Sequence, residues 1–235
     1  MITLQRPGHA WPLLLAANRD ERIDRAWDSP AEYWPDRPGV VAGRDRLGGG
    51  TWMGLNRHGV VCAVLNRTGS LGPAPGKRSR GELPLLALEH SSAASAAAAF
   101  IALDGTAYRS FNIVIADRDA VWYVRNLGDG SPAVSLFPPG LHMVTARDPD
   151  DPGSPRIVRH LPRFQAAPPP APPDWSNWRS LLTDSSGPAG TALNVPGRDG
   201  FGTVCSSLLG LPAVDTPAWL FAAGPPDLAP FQPVA

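Results

Sequence analysis

The stretch Trp11-Pro-Leu-Leu-Leu-Ala-Ala-Asn-Arg-Asp-Glu21 decides the fold, because an apolar run in it passes directly into four polar residues. Residues 13–17 form the apolar run, which Pro12 bounds on one side, and this pattern predicts a strand buried on both faces. The end of such a strand delivers one amide, one guanidinium and two carboxylates to one place. Charged groups that are withdrawn from water need partners, so the four polar residues predict a functional site at the edge of the core.

The same four polar residues also fit a helix cap. Asn18 is followed three residues later by Glu21, the spacing of a capping box, and in that case the tetrapeptide would only start a turn or a helix. Local spacing does not decide between a strand end and a cap.

The composition limits the classes of function. A chain of 235 residues holds one large domain or two small ones, and we expect a single domain over residues 1–235. The 21 basic and 21 acidic residues cancel, which argues against a nucleic-acid or anionic-membrane surface. The sequence has no apolar run of about 18 residues, and so predicts no integral membrane segment. Cys62 and Cys205 lack metal-site spacing and favour a reduced, cytoplasmic setting. Lys77 is the single lysine, a bias typical of a GC-rich bacterial genome.

Apolar runs between Gly- and Pro-rich turns predict the order of the elements. The predicted strands cover residues 1–5, 11–17, 51–56, 60–66, 111–116, 120–125, 134–137, 141–145, 203–211 and 219–223. The predicted helices cover residues 82–90, 92–103, 155–164 and 175–182, with Ser91-Ser92 supplying a cap. Between residues 21 and 39 we expect an ordered Trp- and Pro-rich loop, which is either a wall of a ligand pocket or simply packed. Gly48-Gly49-Gly50 leads into a strand, so it is not a phosphate loop.

The hairpin pairing differs from the regular strand–helix alternation of a parallel sheet. Two antiparallel sheets covered by helices, a four-layer α-β-β-α sandwich of the α+β class, fit the order of the elements.

Several motifs resemble the NRDE family, also called the transport and Golgi organisation protein 2 family. They are Ala17-Asn18-Arg19-Asp20-Glu21 after an apolar strand, Asp28-Ser29-Pro30, Gly49-Gly50-Thr51-Trp52-Met53-Gly54, Asn56, Gly59, Asn66, Arg80-Gly81-Glu82-Leu83, Phe111-Asn112 and Gly202-Thr203. The resemblance covers almost the whole chain and implies the fold of the N-terminal nucleophile hydrolases, which is an α-β-β-α sandwich.

The resemblance also implies a chemistry. In hydrolases of this fold an N-terminal Cys, Ser or Thr attacks an amide carbonyl and its own amine serves as the base. By analogy Asp20 would hold that amine and Asn66 would face the oxyanion, which makes them the candidate catalytic residues. This chain departs from the pattern, since it opens Met1-Ile2-Thr3 where relatives open Met-Cys. It also lacks an Asn near Thr145-Ala146 and an Arg near Val204.

From the resemblance we expect a protein that binds or carries a small, partly apolar metabolite of the haem or acyl-coenzyme A type. The site would be a cleft near the Asn18–Glu21 tetrapeptide. The alternative is an amidohydrolase acting on a non-peptide C–N bond, whose N-terminal Cys is lost through the choice of start site; a third hypothesis is a scaffold without a ligand. The expected ligand contacts are Asn18, Arg19, Asp20, Glu21, Trp52, Asn56, Asn66, Arg80 and Asn112. We expect no metal site and no resident cofactor, although His58 or His142 would serve if haem is the ligand.

Strand alternation gives this hypothesis a test. Asn18 and Asp20 would point to one side, toward the cleft, and Arg19 and Glu21 to the other, where Arg19 would pair with Glu21 or Asp45. Asp20→Asn would then alter binding with little loss of stability, whereas Arg19→Ala would cost about 3–5 kcal/mol if it breaks a buried ion pair. A cap predicts the reverse, with a cost of about 1 kcal/mol for Asn18→Ala and almost none for the charges.

Overall fold

The computed structural model describes residues 1–234 and divides into two compact units, each built on one antiparallel sheet. The first unit contains Met1–Arg25, Pro139–Thr145 and the residues from Pro149 onward; the second contains Ala26–Pro138 and Ala146–Asp148. The predicted pair of antiparallel sheets is therefore confirmed. The expectation that residues 1–235 form a single domain stays a prediction.

Within residues 1–234, ten of the thirteen strands and all four helices lie where the sequence predicts them. The strands are β1 (Ile2–Gln5), β2 (Leu13–Arg22), β3 (Trp27–Glu32), β4 (Val40–Asp45), β5 (Met53–Asn56), β6 (Val61–Asn66), β7 (Phe111–Ala116), β8 (Val121–Asn126), β9 (Ala133–Leu136), β10 (Gly140–Met143), β11 (Phe201–Leu211), β12 (Ala218–Ala222) and β13 (Phe231–Pro233). The helices are α1 (Glu82–Ala87), α2 (Ala93–Ala99), α3 (Pro155–Ala166) and α4 (Ser176–Leu182), and a 3-10 turn covers Gly105–Ala107.

The first unit has six strands in the order β10-β1-β2-β11-β12-β13. Leu14 and Ala16 of β2 pack in one core with side chains of the helices α3 and α4, such as Ile157 and Trp178. Leu13 and Leu15 point to the other face by alternation, and they are equally buried. The prediction of a strand buried on both faces is thus confirmed.

The second unit is a seven-stranded meander in which β3 to β9 pair in sequence order. Its core joins Phe111 and Ile113 of β7 to Leu83 of α1 and to Phe100, which follows α2. Ser92 caps α2, because its side chain accepts a hydrogen bond from the Ser95 N–H. This cap is the one that the sequence predicted.

Four predictions about elements are wrong. The strand β4 was not predicted, because Gly43, Arg44 and Asp45 follow its short apolar run. The Trp- and Pro-rich segment between residues 21 and 39, expected as a loop, contains the strand β3, which pairs with β4. Pro30 is tolerated there because β3 is an edge strand whose register shifts between Asp28 and Ala31. The last strand, β13, was missed, since its three residues end in Pro233 and give no periodic signal. The helices α1 and α2 also end earlier than predicted. The prediction was too long because the apolar and alanine-rich pattern continues beyond the helices into the following turns.

Candidate functional site

The polar tetrapeptide lies inside strand β2, which continues to Arg22. The helix-cap hypothesis is therefore wrong. Alternation places Asn18 and Asp20 on the face that Leu14 and Ala16 present to the helices of the first unit, and Arg19 and Glu21 on the opposite face.

Asn18 ties three elements of the first unit together. Its Nδ2 donates to the carbonyl oxygens of Leu182 and Leu193, both at 2.9 Å. Its Oδ1 accepts a hydrogen bond of 2.7 Å from the Ser206 hydroxyl on β11. These contacts use both ends of the amide, so Asn18 has a structural role at the end of β2.

Asp20 is fixed by two partners that the sequence places far away. Its Oδ1 accepts a hydrogen bond of 2.7 Å from the Thr203 hydroxyl on β11, and its Oδ2 accepts one of 2.9 Å from Arg156 Nη1 on α3. Thr203 Oγ1 in turn accepts a hydrogen bond from the Val195 N–H at 2.8 Å. The Asp20 side chain is 16% exposed, so the carboxylate is oriented within its unit and still accessible at one edge.

The backbone nitrogen of Met1 lies in the same neighbourhood. It donates to the Val144 carbonyl oxygen at 3.0 Å. Burial lowers the pKa of this α-amino group to about 5; the Arg156 guanidinium lowers the pKa further, and the Asp20 carboxylate raises it. The hydrogen bonds of the Asp20 carboxylate go to Thr203 and Arg156, and its expected role of holding the amine at position 1 stays a prediction.

Arg19 and Glu21 form an ion pair on the opposite face of β2. Arg19 Nη2 and Glu21 Oε2 are 3.6 Å apart, and Arg25 Nε is 3.9 Å from the same oxygen. The Arg19 and Glu21 side chains are 11% and 16% exposed. The expected pairing of Arg19 with Glu21 is confirmed.

Neither cysteine is a reactive thiolate. Burial raises the pKa of Cys205, which lies opposite Arg19 on β11, to about 12; Arg19 lowers this pKa and Asp20 raises it. Burial alone raises the pKa of Cys62 well above its usual range. Within residues 1–234, no group of three or more His, Cys, Asp and Glu is placed to hold a metal ion.

Two of the expected ligand contacts hold loops of the second unit. Asn56 Nδ2 donates to the carbonyl oxygens of Leu88 and His90 at 2.8 and 2.7 Å, while its Oδ1 accepts from the N–H groups of His58 and Val60. Arg80 donates to the Ser70 hydroxyl at 2.8 Å and to the carbonyl oxygens of Ser110 and Gly72. The contacts give both side chains a structural role, and their contact with a ligand stays a prediction.

Trp52, Asn66 and Asn112 differ in how accessible they are. Trp52 is half-buried and packs edge-to-face on Trp27, with 5.8 Å between ring centroids. Asn66 is half-buried at the end of β6, and within the described part of the chain its side chain makes no hydrogen bond. Asn112 is fully buried, and its amide bonds to Arg67, Tyr123 and the Arg147 carbonyl oxygen. Of these three, Asn66 has the side chain best placed to bond a ligand.

The sequence did not reveal the charged cluster around Asn112. Asp148 Oδ1 is 2.6 Å from Arg67 Nη1, and Asp148 Oδ2 is 3.0 Å from Arg125 Nη1. Desolvation, and then the Asp148 charge, raise the pKa of Tyr123 well above its usual range. The sequence also did not reveal Arg156 in the first unit. Its partner Asp20 is 136 positions away, and no local spacing signals such a pair.

Two solved structures that are similar to this chain show its fold. A penicillin V acylase from Agrobacterium tumefaciens matches with a TM-score of 0.60 at 15% identity, over 94% of this chain and 82% of that one. An N-acylethanolamine-hydrolyzing acid amidase ortholog from Caenorhabditis elegans matches with a TM-score of 0.61 at 14% identity, over 90% and 93%. Both are N-terminal nucleophile hydrolases, so the predicted fold is confirmed.

Sequence comparison gives a consistent result. The family model described as "Transport and Golgi organisation 2" matches residues 1–167. The curated "Transport and Golgi organization 2 homolog" of Mus musculus is 33% identical over 136 residues, which are 54% of this chain and 48% of the relative. The homolog of Bos taurus is 32% identical over the same length. The chain thus matches about half the length of these curated relatives.

Proposed function

Because this chain belongs to the Transport and Golgi organisation 2 family, we propose that it binds a small, partly apolar molecule with an anionic group. The ligand would be of the haem or acyl-coenzyme A type, and the face of β2 that carries Arg19 and Glu21 would form part of its site. This is the face opposite to the one expected from the sequence, because Asn18 and Asp20 are bonded within their own unit. A protein that carries such a molecule must first bind it.

The change of character along this face of β2 carries the proposal. Leu13, Leu15 and Ala17 precede Arg19 and Glu21 on the same face. Leu13 and Leu15 are wholly buried, whereas Ala17 and the two charged residues keep part of their surface exposed. The accessible part of this face, Ala17 beside a partly desolvated guanidinium, suits the junction between the apolar body of a ligand and its carboxylate or phosphate.

The buried thiols support binding rather than turnover by a cysteine of the folded chain. Cys62 and Cys205 are both buried and their pKa values are raised, so neither supplies a thiolate at neutral pH.

Calorimetric titration with palmitoyl-coenzyme A and with haemin tests the proposal. Arg19→Ala should weaken the binding of one of these probes by about tenfold, the loss expected for one charge-assisted contact. Arg22→Ala is the matched control, since Arg22 lies on the same strand with its side chain 62% exposed, and it should bind like the parent. Equal losses in both variants, or a parent that binds neither probe, would overturn the proposal.

The arrangement around Asp20 favours a second candidate, an amidohydrolase acting on a non-peptide C–N bond. Asp20 is held by Thr203 and Arg156, and its charge raises the pKa of the nitrogen at position 1. A carboxylate in this relation orients the amine of an N-terminal nucleophile.

A Met1→Cys variant with an exposed N-terminal Cys tests this candidate. Turnover of penicillin V or of N-palmitoylethanolamine by Met1→Cys, and its loss on adding Asp20→Asn, would support hydrolysis. A correctly processed, folded Met1→Cys protein without turnover of either substrate would count against it. Mass spectrometry of the protein from its native host would show which residue is N-terminal in the cell.

A further inference from the structure

A shallow cavity of about 420 Å³ lies within the second unit, at the edge of its seven-stranded sheet. It is lined by Tyr33, Trp34, Arg44, Asp45, Arg46 and Gly49. Its volume falls within the range of about 300–1,000 Å³ that is usual for small-molecule sites. None of these residues belongs to the site described above.

Two arginines in the cavity share one buried carboxylate. Asp28 Oδ2 accepts a hydrogen bond of 2.8 Å from Arg44 Nε, and Asp28 Oδ1 accepts one of 2.7 Å from Arg46 Nε. The Asp28 side chain is only 12% exposed, whereas those of Arg44 and Arg46 are 41% and 59% exposed. The Asp28 carboxylate therefore holds both guanidinium groups on the side of their Nε atoms, and the opposite side of each group stays accessible.

The accessible sides of the two guanidinium groups carry unused donors. Within residues 1–234, the Nη1 atoms of Arg44 and Arg46 make no hydrogen bond. Asp45, the acid among the lining residues, closes the adjoining turn, because its Oδ1 accepts from the N–H groups of Leu47 and Gly48. Two fixed guanidinium groups with outward N–H groups form a suitable receptor for a carboxylate or a phosphate.

Aromatic rings form the wall beside these donors. The Arg44 guanidinium carbon lies 4.4 Å from the Tyr33 ring centroid, and Tyr33 packs edge-to-face on Trp34. The Trp34 indole N–H donates to the Gly49 carbonyl oxygen at 3.2 Å. The indole is thus held in one orientation and offers a flat apolar surface next to the guanidinium groups.

The glycine triplet positions this wall. Gly49 has a φ of +71°, a conformation that favours glycine. A Cβ on Gly50 would come within 2.3 Å of the Gly81 carbonyl carbon. The triplet thus packs tightly against the start of α1 and places the Gly49 carbonyl oxygen where it accepts the hydrogen bond from Trp34. Gly48-Gly49-Gly50 therefore has a structural role and is not itself a phosphate-binding loop.

We propose that this cavity binds a planar ring bearing a phosphate or a carboxylate. The ring would lie against Trp34 and Tyr33, and the anion would accept hydrogen bonds from Nη1 of Arg44 and of Arg46. This inference does not rest on the proposed function, since it uses different residues in a different unit.

Fluorine NMR of protein labelled with 5-fluorotryptophan tests the proposal at the site itself. The Trp34 signal is assigned as the one missing from Trp34→Phe. The probes are adenosine 5′-monophosphate, which carries a phosphate, and 2-naphthoate, which carries a carboxylate. At least one probe should shift the Trp34 signal saturably below about 10 mM.

Substitution of the arginines then separates specific from adventitious binding. Arg44→Ala and Arg46→Ala should each weaken the binding of the active probe by about tenfold. Arg37→Ala is the matched control, because Arg37 lies on the connection between β3 and β4 that also carries Tyr33 and Trp34, and it pairs with Glu89 outside the cavity. This variant should not change the affinity. A Trp34 signal that neither probe moves, or one that adenosine without a phosphate moves equally well, would overturn the proposal.

Discussion

Asp20 Oδ2 accepts a hydrogen bond from Arg156 Nη1 at 2.9 Å, and this contact joins the end of β2 to the first turn of α3 across 136 positions of the chain. The other oxygen of the carboxylate is bonded to Thr203, so three elements meet at one side chain. Asp20, a candidate catalytic residue by the family resemblance, therefore also connects three elements of its unit.

This double role changes the prediction for Asp20→Asn. The substitution keeps the shape of the side chain but leaves the Arg156 charge without its carboxylate. We expect a loss of about 1–3 kcal/mol in the free energy of unfolding, below the value for a fully buried pair because Arg156 is 27% exposed. Urea unfolding of the parent, Asp20→Asn, Arg156→Gln and the double variant would give the coupling energy. Additive losses would show that the contact contributes nothing.

Arg19→Ala should cost less than an isolated buried ion pair would suggest. Its pairing distance to Glu21 is 3.6 Å, and Arg25 remains near the same carboxylate when Arg19 is removed. We expect a loss of about 1–3 kcal/mol in the free energy of unfolding. Arg22→Ala, which removes an exposed partner of Asp24, should stay within about 0.5 kcal/mol of the parent. A melting temperature of Arg19→Ala equal to that of Arg22→Ala would contradict the role of Arg19 in stability.

Asn56 and Asn66 provide a matched pair of amides. Asn56→Ala leaves two carbonyl oxygens and two backbone N–H groups without their partner, and we expect it to lower the free energy of unfolding by about 2–4 kcal/mol. Asn66→Ala removes a side chain without such bonds and should stay within about 0.5 kcal/mol of the parent. Denaturant midpoints measure both. Equal losses would show that Asn66 also has a structural role.

The sequence predicted those parts of the fold that depend on local patterns. The apolar run before Asn18 identified β2, and alternation along β2 placed Arg19 and Glu21 on one face. The partners of Asp20 were not predictable, because pairing of β2 with β11 and the docking of α3 are tertiary contacts without a local signal. The strand β3 was missed because Pro30 argues against a strand, and only the register shift at the sheet edge accommodates it.

Asp184 should make the stability of the first unit sensitive to acid. It lies after α4, and its carboxylate contacts Arg159, Arg163 and Ser186. Desolvation acts to raise the pKa of Asp184, but the hydrogen bonds from Ser186, Arg163 and Arg159 outweigh it and hold the pKa well below its usual value of 3.8. Between these two pKa values the unfolded chain binds a proton that the folded chain does not.

The stabilising effect of Asp184 is therefore fully present above its unfolded pKa and is lost as the pH falls below it. We expect Asp184→Asn to be less stable than the parent at about pH 6, and the difference to shrink as the pH falls toward about 2.5. Burial lowers the pKa of the neighbouring His160 and the Asp184 charge raises it, so the pair of proteins is also compared in a His160→Gln background. Urea midpoints across this range are the measurement, with the exposed Asp129→Asn as the control. Parallel curves for parent and Asp184→Asn would show that the Asp184 contacts do not depend on its charge.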